Sequence, residues 1–237
     1  KVQIAWLHET FEGQIRELNA TSVREIRELK LLHTNSEVER KKLEEKHNKL
    51  HMKHKKWEEK HSKLHNQLQW LHNELQWDML LSAATLGDLG TVTLLLYRSG
   101  VQVNYVHPDH SRGETMLFAA SNNGHVAVVG FLLECGADVD LFRTDGQTPL
   151  FAAAQGEHSK VVERLLAHGA SVNLATSDVG LTPLHAASLG GHADVVEMLL
   201  SHGAVVSQAT TDDGETALLI ASDEGHAKVV EKLLAHG

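Results

Sequence analysis

The sequence predicts an all-α protein made of two unlike parts: a long helical region over residues 1–77 with coiled-coil heptads, strongest over 43–77, and a solenoid of helical repeats over residues 78–237. Three observations carry this expectation. Residues 14–86 contain neither glycine nor proline, the two residues that most disfavour a helix interior, so helix is the simplest reading of that stretch. From Leu43 the chain repeats every seven residues, as LEEKHNK, LHMKHKK, WEEKHSK, LHNQLQW and LHNELQW, which is a heptad pattern. Farther along, a longer period takes over: Gly113, Gly146, Gly180 and Gly214 open related hexapeptides at intervals of 33, 34 and 34 residues, the mark of a repeat array.

Within the heptads His47, His54, His61, Leu68 and Leu75 take position a, and Leu43, Leu50, Trp57, Leu64 and Leu71 take position d. A seam with this 3,4 spacing lets helices wind around one another. At a rise of about 1.5 Å per residue the heptads make a rod of roughly 50 Å. Upstream, Ile15, Leu18, Ile26 and Leu29 keep helical spacing, while Ser36 and Arg40 interrupt the seam. Ser22 with Glu25 and Ser36 with Glu39 match capping boxes, so one bent helix and three shorter ones both stay open.

The seam histidines admit three readings. As neutral imidazoles they pack beside the d-position leucines and merely weaken the seam. As titrating groups, with an ordinary pKa of about 6.5 and with Lys46, Lys53 and Lys60 adjacent at g, they loosen the rod in mild acid. As metal ligands, His47 with His51 and His61 with His65 form i, i+4 pairs, but no carboxylate or cysteine completes a convergent set. No metal and no cofactor is therefore expected. Nine lysines between Lys41 and Lys63 would suit phosphates, yet four interleaved glutamates make a solvated coiled-coil exterior the simpler account. No nucleic acid partner is expected either. In a parallel pair Lys53 at g meets Glu58 at the partner helix's e, whereas an antiparallel pair sets g lysines against each other. A parallel homodimer, or pairing with a more acidic helix, follows.

Charge divides the chain in the same place. Residues 1–77 carry 15 Lys and Arg against 12 Glu, and residues 78–237 carry 7 against 19 acidic residues, so +3 and −12 make up the overall −9. Cys135 is the only cysteine, which excludes an internal disulfide and a cysteine zinc site and fits a reducing, cytoplasmic setting, with the nucleus left open. No apolar run approaches the roughly 18 residues of a membrane helix, so no membrane partner is expected. The chain opens on Lys1 and not Met, which leaves an upstream signal open.

The array keeps several anchors in register. Gly100, Gly136, Gly169 and Gly203 each end an apolar run, and His125, His158, His192 and His226 recur at steps of 33, 34 and 34. Thr182-Pro183-Leu184-His185-Ala186-Ala187 forms one complete T-P-L-H-x-A motif; Thr148-Pro149-Leu150-Phe151 keeps most of it, and Thr115 and Thr216 open more degenerate copies. These residues resemble the ankyrin repeat family over about two thirds of the chain. Proline suits a first helical turn, the preceding threonine caps it, and small alanines let paired helices approach. Glycines such as Gly136 and Gly169 suit left-handed helix ends. A divergent earlier copy around Leu81-Ser82-Ala83-Ala84 brings the count to about five, the last one truncated. It follows the heptads with no linker. The final helix, from Val229 to Leu234, reads like an interior one, so the natural chain is expected to continue.

The resemblance implies a protein-binding concave surface formed by loop tips and the exposed parts of each first helix. Carried over by register, the candidate partner-binding residues are Tyr105, His107, Asp109, His110, Arg112 and Glu114; Phe142, Thr144, Asp145 and Gln147; Ser177, Asp178 and Leu181; and Asp212, Asp213 and Glu215. Asn122, Gln155, Leu189 and Asp223 join them from the helices. The loop between Gly100 and Gly113 is longer than its later counterparts, as a contact feature or as a tolerated insertion. The surface is mostly acidic, with Phe142 and Tyr105 as aromatic anchors, so a basic protein partner is expected. No nucleophile elbow, P-loop, dinucleotide fingerprint or HExxH motif occurs, and no enzyme activity is expected of this segment. Two functions fit: an interaction scaffold whose coiled coil dimerises the recognition surface, or a regulatory segment of a larger enzyme or signalling protein whose catalytic domain lies elsewhere.

Overall fold

A computed structural model describes Ala20, Val23, Arg24 and residues 37–106 and 113–237. The upstream apolar positions Ile15, Leu18, Ile26 and Leu29, the caps at Ser22 and Ser36, and the loop residues His107, Asp109, His110 and Arg112 lie outside the described residues. The chain divides into two compact units, Lys1–Gln67 and Leu68–Gly237. Among the described residues there is no β-strand, only one isolated antiparallel bridge between Ala209 and Thr216.

Helix α1 runs from Glu37 to Leu86 without a break, as the absence of Gly and Pro requires. In the first unit its lysines, and its glutamates from Glu39 on, are exposed, while Leu43, Leu50, Trp57, His61 and Leu64 are half-buried. The rings of His54 and Trp57 stack at 6.0 Å and 11°, and Trp57 meets His61 at 5.0 Å and 33°. Seam residues at a and d thus touch along the helix, as side chains three and four apart must.

The second unit is a stack of short helices: α2 (Leu89–Ser99), α3 (Met116–Asn122), α4 (Val126–Glu134), α5 (Pro149–Gln155), α6 (Ser159–Ala167), α7 (Pro183–Leu189), α8 (Ala193–Ser201), α9 (Ala217–Asp223) and α10 (Ala227–His236). The inner helices α3, α5, α7 and α9 each start at a threonine. The hydroxyls of Thr115, Thr148, Thr182 and Thr216 accept the N–H groups of Phe118, Phe151, His185 and Leu219, satisfying one of the donors every helix start leaves free. Pro149 and Pro183 follow directly, where their missing N–H costs nothing.

The outer helices end alike. At α6 the Gly169 N–H donates to Leu166 O and the Ala170 N–H to Leu165 O, with Gly169 at φ 83. This closing motif needs a left-handed residue, which glycine adopts without steric cost. The core fills the space between the layers. Leu80 from α1 and Met116, Leu150, Leu184 and Ala217 from the inner helices meet Val128, Leu132, Val161, Leu165, Val195, Leu199, Val229 and Leu233 from the outer ones, all fully buried or nearly so. Ala83, Ala84, Ala120, Ala153, Ala187 and Ala221 provide the small surfaces across which successive helices pack.

Each pair is also stitched to the next by polar groups. The Nε2 of His125, His158, His192 and His226 donates to the carbonyls of Thr85, Asn122, Gln155 and Leu189 in the preceding pair, at 2.8, 3.1, 3.0 and 3.0 Å. On the outer edge Asn104 Oδ1 accepts Asp138 N–H at 2.7 Å, Asp140 Oδ1 accepts Ser171 N–H at 2.9 Å, and Asn173 Oδ1 accepts Val205 N–H at 2.9 Å. The loops are joined as well: Ser177 N–H donates to Asp145 O at 3.0 Å, and Thr211 N–H to Val179 O at 2.9 Å. Three ladders of hydrogen bonds therefore run along the stack and set its loop tips in a row.

Candidate protein-binding surface

Within each loop the chain folds back on itself. Arg143 N–H donates to Gln147 O, Thr176 N–H to Leu181 O, and Thr210 N–H to Glu215 O, at 3.0, 2.9 and 2.9 Å. Thr176 and Thr210 close these turns a second time, their hydroxyls accepting Leu181 N–H at 3.1 Å and Glu215 N–H at 2.9 Å. Such turns hold Ser177, Asp178, Asp212 and Asp213 exposed at the tips, with Leu181 and Glu215 half-buried behind them. Thr144 is exposed in its own loop, and Asp145 and Gln147 are half-buried. Phe142 is 59% exposed, a large apolar ring at the surface. Asn122, Gln155, Leu189 and Asp223 are exposed at equivalent points at the ends of the inner helices. Tyr105 is exposed on one side while its ring meets Trp77 edge-on at 6.2 Å and its carbonyl accepts the indole N–H at 3.4 Å.

Two of the candidate carboxylates are already engaged. Arg143 lies half-buried between them, its Nη1 at 3.5 Å from Glu114 Oε1 and its Nη2 donating to Asp145 Oδ2 at 2.9 Å. The guanidinium sits 4.9 Å from the centre of the Phe118 ring, a cation–π contact that a planar cation makes well. Asp145 also accepts Gln147 N–H at 3.2 Å through Oδ1. Arg143, which the register with the later repeats did not single out, therefore organises the first two loops. The signal was its departure from the pattern, since it stands where the next copies carry Thr176 and Thr210.

Two of the tip carboxylates, Asp178 and Asp212, are held ionised by local hydrogen bonds. The Thr176 hydroxyl, and then the Val179 N–H, keep the Asp178 carboxyl below the usual carboxylate range. The Asp213 N–H and the Thr210 hydroxyl do the same for Asp212, against the repulsion of the Asp178 charge. Across the loops and inner helices, residues 113–125, 137–158, 170–192 and 204–226, the sequence has eleven Asp and Glu and one basic residue, Arg143. Among the described loop residues from Gly113 on, the row of tips is thus acidic, with the Arg143 cation neutralised from within.

His185 is structural. Its Nδ1 accepts from Thr182 N–H at 3.1 Å and from the Thr182 hydroxyl at 2.7 Å, which completes a capping box and leaves the proton on Nε2. Nε2 is buried and faces the backbone of Glu215 and Gln208 without a hydrogen bond of good geometry. Burial pushes its pKa below the usual imidazole value, opposed by the backbone of Glu215 and Gln208. Among the described residues no three His, Cys, Asp or Glu side chains converge as a metal site, the pairs His47 with His51 and His61 with His65 included. Cys135 is exposed, and partial burial together with the Glu134 charge raises its thiol pKa, which disfavours a nucleophilic thiolate.

On α1 the seam positions remain open to contact. Leu43, Leu50, Trp57, His61, Leu64 and Leu68 are half-buried, His47, His54 and Leu75 exposed, and the Leu71 side chain lies outside the described ones. His54 Nε2 stands 3.2 Å from Glu58 Oε1 on its own helix. No helix among the described residues is long and apolar enough to cross a membrane.

Among curated proteins no significant match to the chain emerges. The family model described as ankyrin repeats, in three copies, matches residues 79–176 and again 173–237, well over half of the chain. With the threonine caps, the left-handed glycines and the stacked helix pairs all in register with that match, the chain belongs to the ankyrin repeat family.

Proposed function

We propose that this chain is an interaction scaffold in which residues 78–237 recognise a basic protein through the acidic loop tips and inner-helix ends, and residues 1–77 self-associate in parallel through the heptad seam. The observation that carries the recognition half is the charge pattern: from Gly113 on, eleven acidic residues and one internally paired arginine along the loops and inner helices. The apolar contact comes from Phe142 and Leu189, 59% and 47% exposed, which supply the hydrophobic centre that an acidic rim alone lacks. Self-association presents two such surfaces at once and raises avidity. The setting is cytoplasmic, and the segment carries no catalysis of its own.

The test is quantitative capture from a cell extract by the wild type and by Phe142→Ala combined with Asp212→Lys. The reading expects specific basic proteins to be lost from the variant. Equal recovery of every captured protein by both would refute the surface. For the rod, sedimentation of residues 1–77 as a monomer at all concentrations would remove the self-association half and leave the recognition half standing.

A further inference from the structure

The loop that carries Phe142 closes on itself differently from the two that follow it. In those later loops the hydroxyls of Thr176 and Thr210 accept the N–H groups of Leu181 and Glu215. Arg143 stands at the equivalent place and its side chain has no acceptor to offer, so the Gln147 N–H goes instead to Asp145 Oδ1 at 3.2 Å. A threonine in its place would close the turn as its counterparts do, with no charge to desolvate. The arginine is the costlier solution. Its side chain is only 12% exposed, and its Nε–H is buried with no hydrogen-bond partner among the described residues. A buried ion pair seldom gains stability over uncharged side chains of similar size, and an unmet buried donor subtracts further. Closing the loop therefore does not call for a cation.

What the cation changes is the charge of the surface around that loop. Glu114 and Asp145 keep 32% and 30% of their side chains exposed, within a partner's reach, and Arg143 holds both, at 3.5 and 2.9 Å. Two carboxylates and one guanidinium leave a single net negative charge at the Phe142 end of the row, whereas Asp212, Asp213 and Glu215 stand at the other end with no Lys or Arg among residues 204–226. We propose that Arg143 is a specificity-determining residue of the recognition surface: it keeps the Phe142 end for an apolar side chain of the partner and turns away a cation there, while the partner's basic residues go to Asp178 and Asp212. This rests on the reading of the acidic face above and adds which part of the partner meets which loop. The hydrogen-bonded loops of Asp145, Asp178 and Asp212 follow one another along the stack. With packed helices about 10 Å apart, Phe142 and Asp212 are separated by roughly 20 Å, the span of about six extended residues. The partner is thus a segment with a basic cluster and an apolar residue about six positions away from it.

The experiment uses the full chain and fluorescein-labelled synthetic peptides. Each peptide carries a Lys-Arg-Lys cluster, a spacer of about five glycine and serine residues, and then either tryptophan or lysine. Both chain directions are made, and a control replaces the cluster by alanines. Affinities are read by fluorescence anisotropy, and thermal melts check that each protein is folded. The proposal expects the wild type to bind the tryptophan peptide more tightly than the lysine peptide. In Arg143→Thr that preference falls by about tenfold, the combined worth of two unmasked surface carboxylates to one cation. In Arg143→Thr combined with Glu114→Gln and Asp145→Asn the carboxylate charges are gone as well, and the preference returns although the arginine does not. A wild type that prefers lysine contradicts the proposal directly. If Arg143→Thr weakens both peptides alike, or no longer folds, the arginine serves the fold alone; the proposal fails and the acidic face stands. If the triple variant does not recover the preference, charge is not what Arg143 contributes and the proposal again fails. If the wild type binds no peptide, or binds the alanine control as well as the basic ones, the reading of the acidic face fails and the proposal with it.

Discussion

His185 and Glu157 are the two side chains whose local chemistry makes sharp predictions. His185 has a folded pKa below the ordinary 6.5 because it is buried, so the unfolded chain binds a proton at higher pH than the folded one does. Its contribution to stability is full above about pH 6.5 and is lost as the pH falls below that value toward the depressed folded pKa. Thermal melts at pH 7.5 and 5.5 are therefore expected to differ more for the wild type than for His185→Asn, whose side-chain oxygen still accepts from Thr182. An equal difference would contradict the burial argument. Glu157 has φ 59 at the position where neighbouring repeats place Gly124 and Gly191 at φ 73. A side chain there costs about 1 kcal/mol, and the contact of its carboxylate with His192 Nδ1 at 3.5 Å is a surface pair that returns only a fraction of it. Glu157→Gly is expected to stabilise the array by about 0.5–1 kcal/mol, a rise in Tm of about 1–4 °C for a unit of this size. A lower Tm would show that the pair with His192 outweighs the strain.

Helices and loops differ in how far their determinants lie from one another along the chain, and that decides what could be read in advance. The threonine caps, the prolines at the first turn and the left-handed glycines act within a few residues of themselves, so Thr182 beside Pro183 and Gly169 after Leu166 were legible from spacing alone. The regular histidines were visible as a period, but that His158 reaches the carbonyl of Asn122 in the preceding pair was not, because the bond joins residues far apart in sequence. Arg143 was missed for the same reason: Glu114 and Phe118 belong to the previous repeat. Conversely, Glu114 and Asp145 looked like free contact carboxylates and are partly committed to that arginine. Removing Arg143 leaves two carboxylates facing each other over an emptied site, so Arg143→Ala is expected to destabilise the array by about 2–3 kcal/mol, and Arg143→Lys to restore little of this, since an ammonium cannot bridge both carboxylates while lying flat on Phe118. Chemical denaturation of the three proteins checks both statements. His158→Ala, which cuts one rung of the ladder, is expected to cost about 1 kcal/mol and to broaden the transition, because a stack coupled only through neighbours can part at a weakened interface. An unchanged midpoint would mean that the ladder contributes nothing net.

The whole molecule joins a lysine-rich helical rod to an acidic repeat array, and its two parts invite different measurements. The proposed recognition through ionised tips such as Asp178 and Asp212 would be screened by salt over a distance of about 8 Å at physiological ionic strength, so partner capture is expected to fall as salt is raised from 0.1 to 0.5 M, with Phe142 supplying the part that persists. The measurement that bears most directly on the acidic face is the capture experiment with a matched control: wild type, Phe142→Ala with Asp212→Lys on the loops, and Lys160→Glu with Lys228→Glu on the outer helices, compared by quantitative mass spectrometry at 0.15 M salt. The predicted result is a set of basic proteins retained by the wild type and the outer-helix variant and depleted at least about tenfold by the loop variant, and the contradicting result is one set of proteins recovered equally by all three.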